Sequence, residues 1–246
     1  MHIAIAISFG LAAAVPAALV AQIPDTYTNL QVLPEDITRN RLVGTMRGFA
    51  LGLGVRCSYC HGEGQGAPGA FEGVDFASDS LETKRKAREM LRMVQAINRD
   101  FIPKAVTSGA ALQVQCVTCH RGVSRPEPLE GVIARAVRTH GVPAAIEEYR
   151  ALREEYYGSG SYDFGEQTLI SAAGAVNSPG TRQQALDLLQ LNLELHPRSA
   201  NTHATIGQIH GAMGDTAAAL TAFRRALEFR PGDRFLTEQI QRLGGG

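Results

Sequence analysis

Two stretches of this chain, "VRCSYCH" at 55–61 and "VQCVTCH" at 114–120, each set two cysteines three apart with a histidine directly behind the second. Together they use all four cysteines of the 246 residues. On one helical turn, residues three apart share a face and the next residue lies beside them. Two thiols so placed can each add to one vinyl group of a single porphyrin, and the adjacent imidazole can reach its iron. This is the pattern of c-type haem attachment. Cys57, Cys60 and His61 form one such set, and Cys116, Cys119 and His120 form a second.

Three other uses of paired cysteines compete. A structural zinc site sets its two pairs about 15–20 residues apart, whereas 55 residues separate Cys60 from Cys116. Zinc also gives no reason for a histidine after both pairs. A thioredoxin-like redox pair belongs to a βαβ pattern, which the sequence lacks. Two local disulfides would suit an exported chain but leave the histidines unexplained. Two covalently bound haem c groups account for every cysteine and both histidines.

A haem iron takes a sixth ligand unless it is open for chemistry, and a methionine opposite histidine raises its reduction potential. Upstream of the first motif, Leu42, Val43, Met46, Phe49, Ala50 and Leu53 recur at helical spacing. Asp36 or Thr38 can cap that helix, and Gly52 and Gly54 punctuate its end. Upstream of the second motif, Ala87, Met90, Leu91, Val94, Ile97 and Phe101 make a similar stripe, which Pro103 is expected to stop. A methionine on an apolar helix face is ordinarily core filler. The repeated order, a helix with a central methionine and then the cysteine–histidine motif, makes Met46 and Met90 candidate iron ligands. The loop of 62–79 is glycine-rich without a phosphate-binding pattern, and Phe71 and Phe76 are its candidate contacts to a haem edge. The basic run "TKRKAREMLR" reads as a solvated helix face.

The order "TMRGFALGLGVRCSYCH … AREMLRMVQAIN … CVTCHRG" resembles the multihaem cytochrome subunit of photosynthetic reaction centres and its shorter relatives. The similarity covers roughly residues 30–125, with two motifs where that subunit has four. In that family a methionine on the preceding helix ligates the iron, which implies Met46 for the first haem and Met90 for the second. A distal histidine of the family falls where Lys104 stands here, and it serves a haem that this chain does not carry. The lipid-attached cysteine of the family has no counterpart, since no cysteine precedes Cys57.

Residues 1–21 hold no Lys, Arg, Asp or Glu and are rich in alanine, as in the hydrophobic region of an export signal cleaved near Ala21. The basic start of such a signal is missing, and an uncleaved anchor is the other reading. Export places the protein in the periplasm or outside the cell, membrane-associated only if that segment stays. Lys plus Arg equals Asp plus Glu at 24 each, so no net charge favours nucleic acid.

After "RGVSRPEPLEG" the composition turns helical, and a shift of 34 aligns Gly180 with Gly214, Ala185 with Ala219, Leu189 with Phe223 and Pro197 with Pro231. The period and pattern resemble the tetratricopeptide (TPR) repeat. A degenerate helical pair precedes the repeats and "RFLTEQIQRL" caps them. His203 and His210 lie seven apart at positions that ordinarily hold packing aromatics. The repeats serve either to dock a partner protein or as a buttress or self-association surface.

The expected fold class is all-α. A haem-stabilised cytochrome c domain with long loops spans 22–128, and an α-helical hairpin-repeat, TPR-like domain spans 131–246. The expected function is electron transfer by a dihaem cytochrome whose repeats meet redox partner proteins or further copies, as in a cytochrome filament. The rival is a dihaem enzyme, a peroxidase or small-molecule reductase, with one open iron. The loop carries Glu63, Glu72, Asp75 and Asp79, which leaves that reading in play, although neither motif has a dedicated acid or base.

Overall fold

The computed structural model describes residues 26–65, 71–106 and 112–245. The export or anchor segment expected over 1–21 lies outside the described residues. The protein is helical throughout, with one isolated bridge between Gln65 and Glu72 among the described residues. It forms two compact units, one running to Thr118 and the other starting at Cys119.

The first unit holds α1 (Arg39–Leu53), the short α2 (Ser58–His61), α3 (Glu82–Ala96), a π-helical turn (Ile97–Phe101) and α4 (Ile102–Ala105). Thr38 stands at the N-cap of α1 without a side-chain bond, and Gly54 ends the helix in the left-handed region (φ 65°). Gly52 lies inside α1 and is buried. Pro103 does not stop the second stripe at its own position. α3 passes into the π turn at Ile97, and Pro103 sits in the first turn of α4, where a missing N–H costs nothing. Leu42 is the single buried hydrophobic side chain among the described residues of this unit.

α5 (Cys116–His120) carries the second motif, and α6 (Leu129–His140) to α12 build the rest of the second unit. α6 meets α7 (Val142–Tyr156), α8 (Glu166–Val176) meets α9 (Arg182–Leu195), and α10 (Ala200–Met213) meets α11 (Thr216–Phe229), with α12 (Arg234–Gly244) behind. The repeat shows in the helix bounds: α11 starts 34 residues after α9 (216 − 182), and α12 starts 34 after α10 (234 − 200). Ser199, Asp215 and Asp233 each cap a helix by accepting from an N–H three residues on. Ala185 and Ala219, and Leu189 and Phe223, occupy matching places in the core. Between hairpins, the buried Asn192 donates to the Glu166 carbonyl at 2.9 Å and to Thr202 Oγ1 at 2.7 Å.

Among the described glycines of this unit, Gly207 of α10 has the least room, since a Cβ there would stand 2.8 Å from a ring carbon of the buried Phe223. Replacing Gly207 by Ala gains about 1 kcal/mol of helix propensity but overpacks this contact by about 1–3 kcal/mol. Gly207→Ala is therefore expected to lower the urea midpoint of the full chain, with the same unfolding slope, read by far-ultraviolet circular dichroism.

Candidate functional site

α1 delivers the first motif. Gly54 N–H bonds the Leu51 carbonyl and Val55 N–H the Ala50 carbonyl, which turns the chain towards Cys57 at the N-cap of α2. Cys60 and His61 N–H groups both reach the Cys57 carbonyl, at 3.2 and 3.1 Å, so the motif forms a single helical turn. Cys57 is exposed, Cys60 is half-buried, and none of the chain's cysteines is in a disulfide. The His61 ring packs on Phe76 with centroids 5.1 Å apart, and Phe76 packs on Phe71 at 5.6 Å.

His61 Nδ1 is buried and makes no hydrogen bond. Burial above all, then the positive charges of Lys84 and Arg88, push the His61 pKa down, while the Phe76 carbonyl pulls the other way. The neutral ring is favoured, which is the form a metal binds. Burial raises the pKa of the Cys60 thiol, with Lys84 opposing.

On the second motif the histidine is set by a hydrogen bond. His120 Nδ1 lies 2.9 Å from the Val123 carbonyl. A carbonyl only accepts, so Nδ1 carries the proton and Nε2 keeps its lone pair for a metal. The return of the chain needs left-handed backbone at Arg121 (φ 48°) and Gly122 (φ 85°). Ser161 Oγ fixes it by donating to the Arg121 carbonyl at 2.6 Å. On the approach side, Asn98 in the π turn donates to the Val114 carbonyl and accepts from the Val114 N–H, both at 2.8 Å.

The basic run on α3 is not a solvated face throughout. Lys86 and Arg85 are exposed, but Lys84 and Arg88 are buried. Lys84 donates to the Phe76 and Ser78 carbonyls at 2.8 and 2.6 Å and lies 3.5 Å from Asp79. Arg88 pairs with Asp79 and donates to the Asn29 carbonyl at 3.0 Å. Asn29 in turn donates to the Ala77 carbonyl and to Asp79. Two cations are buried here because loop carbonyls and one carboxylate receive them, and the loop is thereby latched onto α3.

Met46 lies mid-way along α1 and is half-buried, while Met90 on α3 is 44% exposed. Other large apolar side chains of the first unit also face outward: Leu51, Tyr59, Met93, Phe101, Leu112 and Val117. They lie on the motifs or on the elements that flank them. His203, by contrast, stacks on Phe229 at 5.7 Å, a packing role.

The family model for the photosynthetic reaction centre cytochrome c subunit matches residues 12–166. The chain belongs to that family. It is 36% identical over 107 residues to the photosynthetic reaction center cytochrome c subunit of Roseobacter denitrificans, covering 43% of this chain and 26% of that one. Cytochrome c-554 of Chloroflexus aurantiacus is 34% identical over 123 residues, 50% of this chain and 26% of its own. The reaction center cytochrome c subunit of Thermochromatium tepidum is 32% identical over 105 residues, 42% of this chain and 22% of its own. The chain thus spans about a quarter of the length of the curated relatives it matches.

Membership of this cytochrome c family implies covalently bound haem c. The residues present fit the group. His120 offers Nε2, His61 is a buried ring with an unpartnered nitrogen, and exposed apolar side chains stand around both motifs. Among the described residues no helix is long and apolar enough to cross a membrane.

Asn98 has no part in the sequence reading, Gly52 enters it as the end of a helix and not as a close approach, and Asp79 enters as a loop acid and not as a latch. For Asp79 the signal was an acid ahead of a lysine and an arginine one turn apart on a helix, a pattern that charged surface helices share. Hydrogen bonds from Asn29 and then Arg88 hold the Asp79 carboxyl down at about 2, below the usual 3.8. A depressed carboxylate contributes stability above its unfolded value and loses it as pH falls through the folded one. Wild type is therefore expected to unfold at a higher temperature than Asp79→Asn at neutral pH. The gap should close between about pH 4 and pH 2, measured as melting temperature against pH.

Proposed function

We propose that this chain is an exported electron carrier that holds two haem c groups, one on each motif. The observation that carries this reading is the inverted first unit, which among the described residues buries one hydrophobic side chain and turns seven large ones outward along the motif-bearing elements. Exposed apolar side chains in such a concentration call for a cover, and a porphyrin anchored at the cysteines supplies one.

Cys57 and Cys60, and Cys116 and Cys119, form the thioethers. Each S–H adds across a vinyl group, so sulfur bonds one carbon and the proton goes to its neighbour, with no oxidant needed. His61 and His120 would each hold an iron through a ring nitrogen, Nε2 in the case of His120. Met46 and Met90 would supply their sulfurs as the further iron ligands. The haem supplies a reversible one-electron couple. Phe71 and Phe76 exclude water beside the first group, and His120 is kept in its metal-binding tautomer by Val123.

Residues 131–246 act as a TPR-like docking module, which a 34-residue helical period with capped hairpins supports. Its partners are redox proteins or further copies of this chain. Membrane attachment follows only if residues 1–21 are retained. With Met46 and Met90 as ligands, no substrate would reach either iron, which favours an electron carrier over a catalyst.

Intact mass and haem stain on protein matured in a c-type cytochrome-producing host test the count. Wild type is expected to carry two haems, and Cys116→Ser with Cys119→Ser to carry one. Carbon monoxide should leave the wild-type spectrum unchanged, whereas Met46→Leu and Met90→Leu should each make one haem reactive. A wild-type protein whose spectrum shifts readily with carbon monoxide has an open iron, and the peroxidase or reductase reading then replaces this one.

A further inference from the structure

Two positions of the first unit bear on both motifs at once. Gly52 precedes Cys57 by five residues and is buried in α1. A Cβ built there would stand 3.2 Å from the backbone nitrogen of Val117 and 3.4 Å from Cβ of Cys116. The helix that delivers the first motif therefore lies with bare backbone on the start of the second. Gly48, one turn earlier on α1, has nothing within 4 Å of the same imagined atom.

The second connection runs along α3. Near its start, Thr83 Oγ1 donates to the Tyr59 carbonyl, inside the first motif, at 2.5 Å. At the far end, Asn98 holds both backbone groups of Val114, two residues before Cys116. Fifteen residues separate Thr83 from Asn98, roughly 20 Å of helix. A π turn inserts a residue and re-aims the side chains that follow, and Asn98 stands within that turn. One side chain so placed replaces a strand partner for Val114 and fixes the approach to the second motif.

We infer that Gly52 and Asn98 are positioning residues that set the distance and mutual orientation of the two haem groups. This rests on the reading that each motif carries a haem. Gly52 allows the close approach, and Asn98 fixes the direction from which the second motif arrives. Neither touches iron, and neither has a part in attaching the porphyrins.

The readout is the Soret couplet in circular dichroism of the reduced full-length protein, which depends on the distance and orientation of two neighbouring porphyrins. Wild type should show the couplet. Gly52→Val and Asn98→Ala should keep two haems and a spectrum indifferent to carbon monoxide, yet lose the couplet or reverse its sign. Gly48→Val, on the same helix, should leave it intact. If Gly52→Val does not accumulate, Gly52→Ala adds the single Cβ and should shift the couplet in the same direction. An unchanged couplet in both Gly52→Ala and Asn98→Ala overturns the assignment, as does a dihaem wild type without a couplet. A wild type with fewer than two haems defeats the function proposed above, and the positioning role falls with it.

Discussion

A helical unit normally holds together by hiding the apolar stripe of each helix against a neighbour, and among the described residues the first unit of this chain buries one hydrophobic side chain, Leu42. Burying a leucine or phenylalanine side chain is worth about 1.5–3 kcal/mol, so Leu51, Phe101 and Leu112 at the surface forgo much of what the fold needs. Beside the packed rings of His61, Phe76 and Phe71, its contacts include polar and specific ones: a carboxylate between two cations, an amide on a backbone pair, a threonine on a carbonyl. Contacts of this kind choose a geometry better than they stabilise one. A covalently attached haem suits such a frame, because it brings apolar surface that does not dissociate.

The second unit solves the same problem in the ordinary way. Its helices hide Leu188, Leu189, Ile209 and Phe223 against one another, and its buried Asn192 donates to Thr202, which donates in turn to Ser199. Hydrophobic burial is its main source of stability, so the two units have different sources of stability within one chain.

This difference explains what the sequence could disclose. The 34-residue period was legible because each repeat buries the same positions, and the structure keeps it in the helix bounds. The two cysteine–histidine motifs stand out because the chemistry of haem attachment demands such a spacing. Lys84 and Arg88 were misread, since charged residues on a helix are solvated by default and the carbonyls of Phe76, Ser78 and Asn29 that receive them come from a loop and a distant segment. Pro103 was expected to end a helix, and a π turn let the chain accommodate it in a first turn instead. Gly52 reads as one glycine among 26; only the neighbour across from it gives it meaning.

Ser161 Oγ holds the carbonyl of Arg121 from 40 residues further along the chain. The return of the second motif is therefore secured only after those later residues have been synthesised. Asn29, Asp79 and Thr83, which latch the loop and hold the Tyr59 carbonyl, are all made before that point. Folding thus has a direction: the surroundings of the first motif can take shape while the turn behind the second is still pliable.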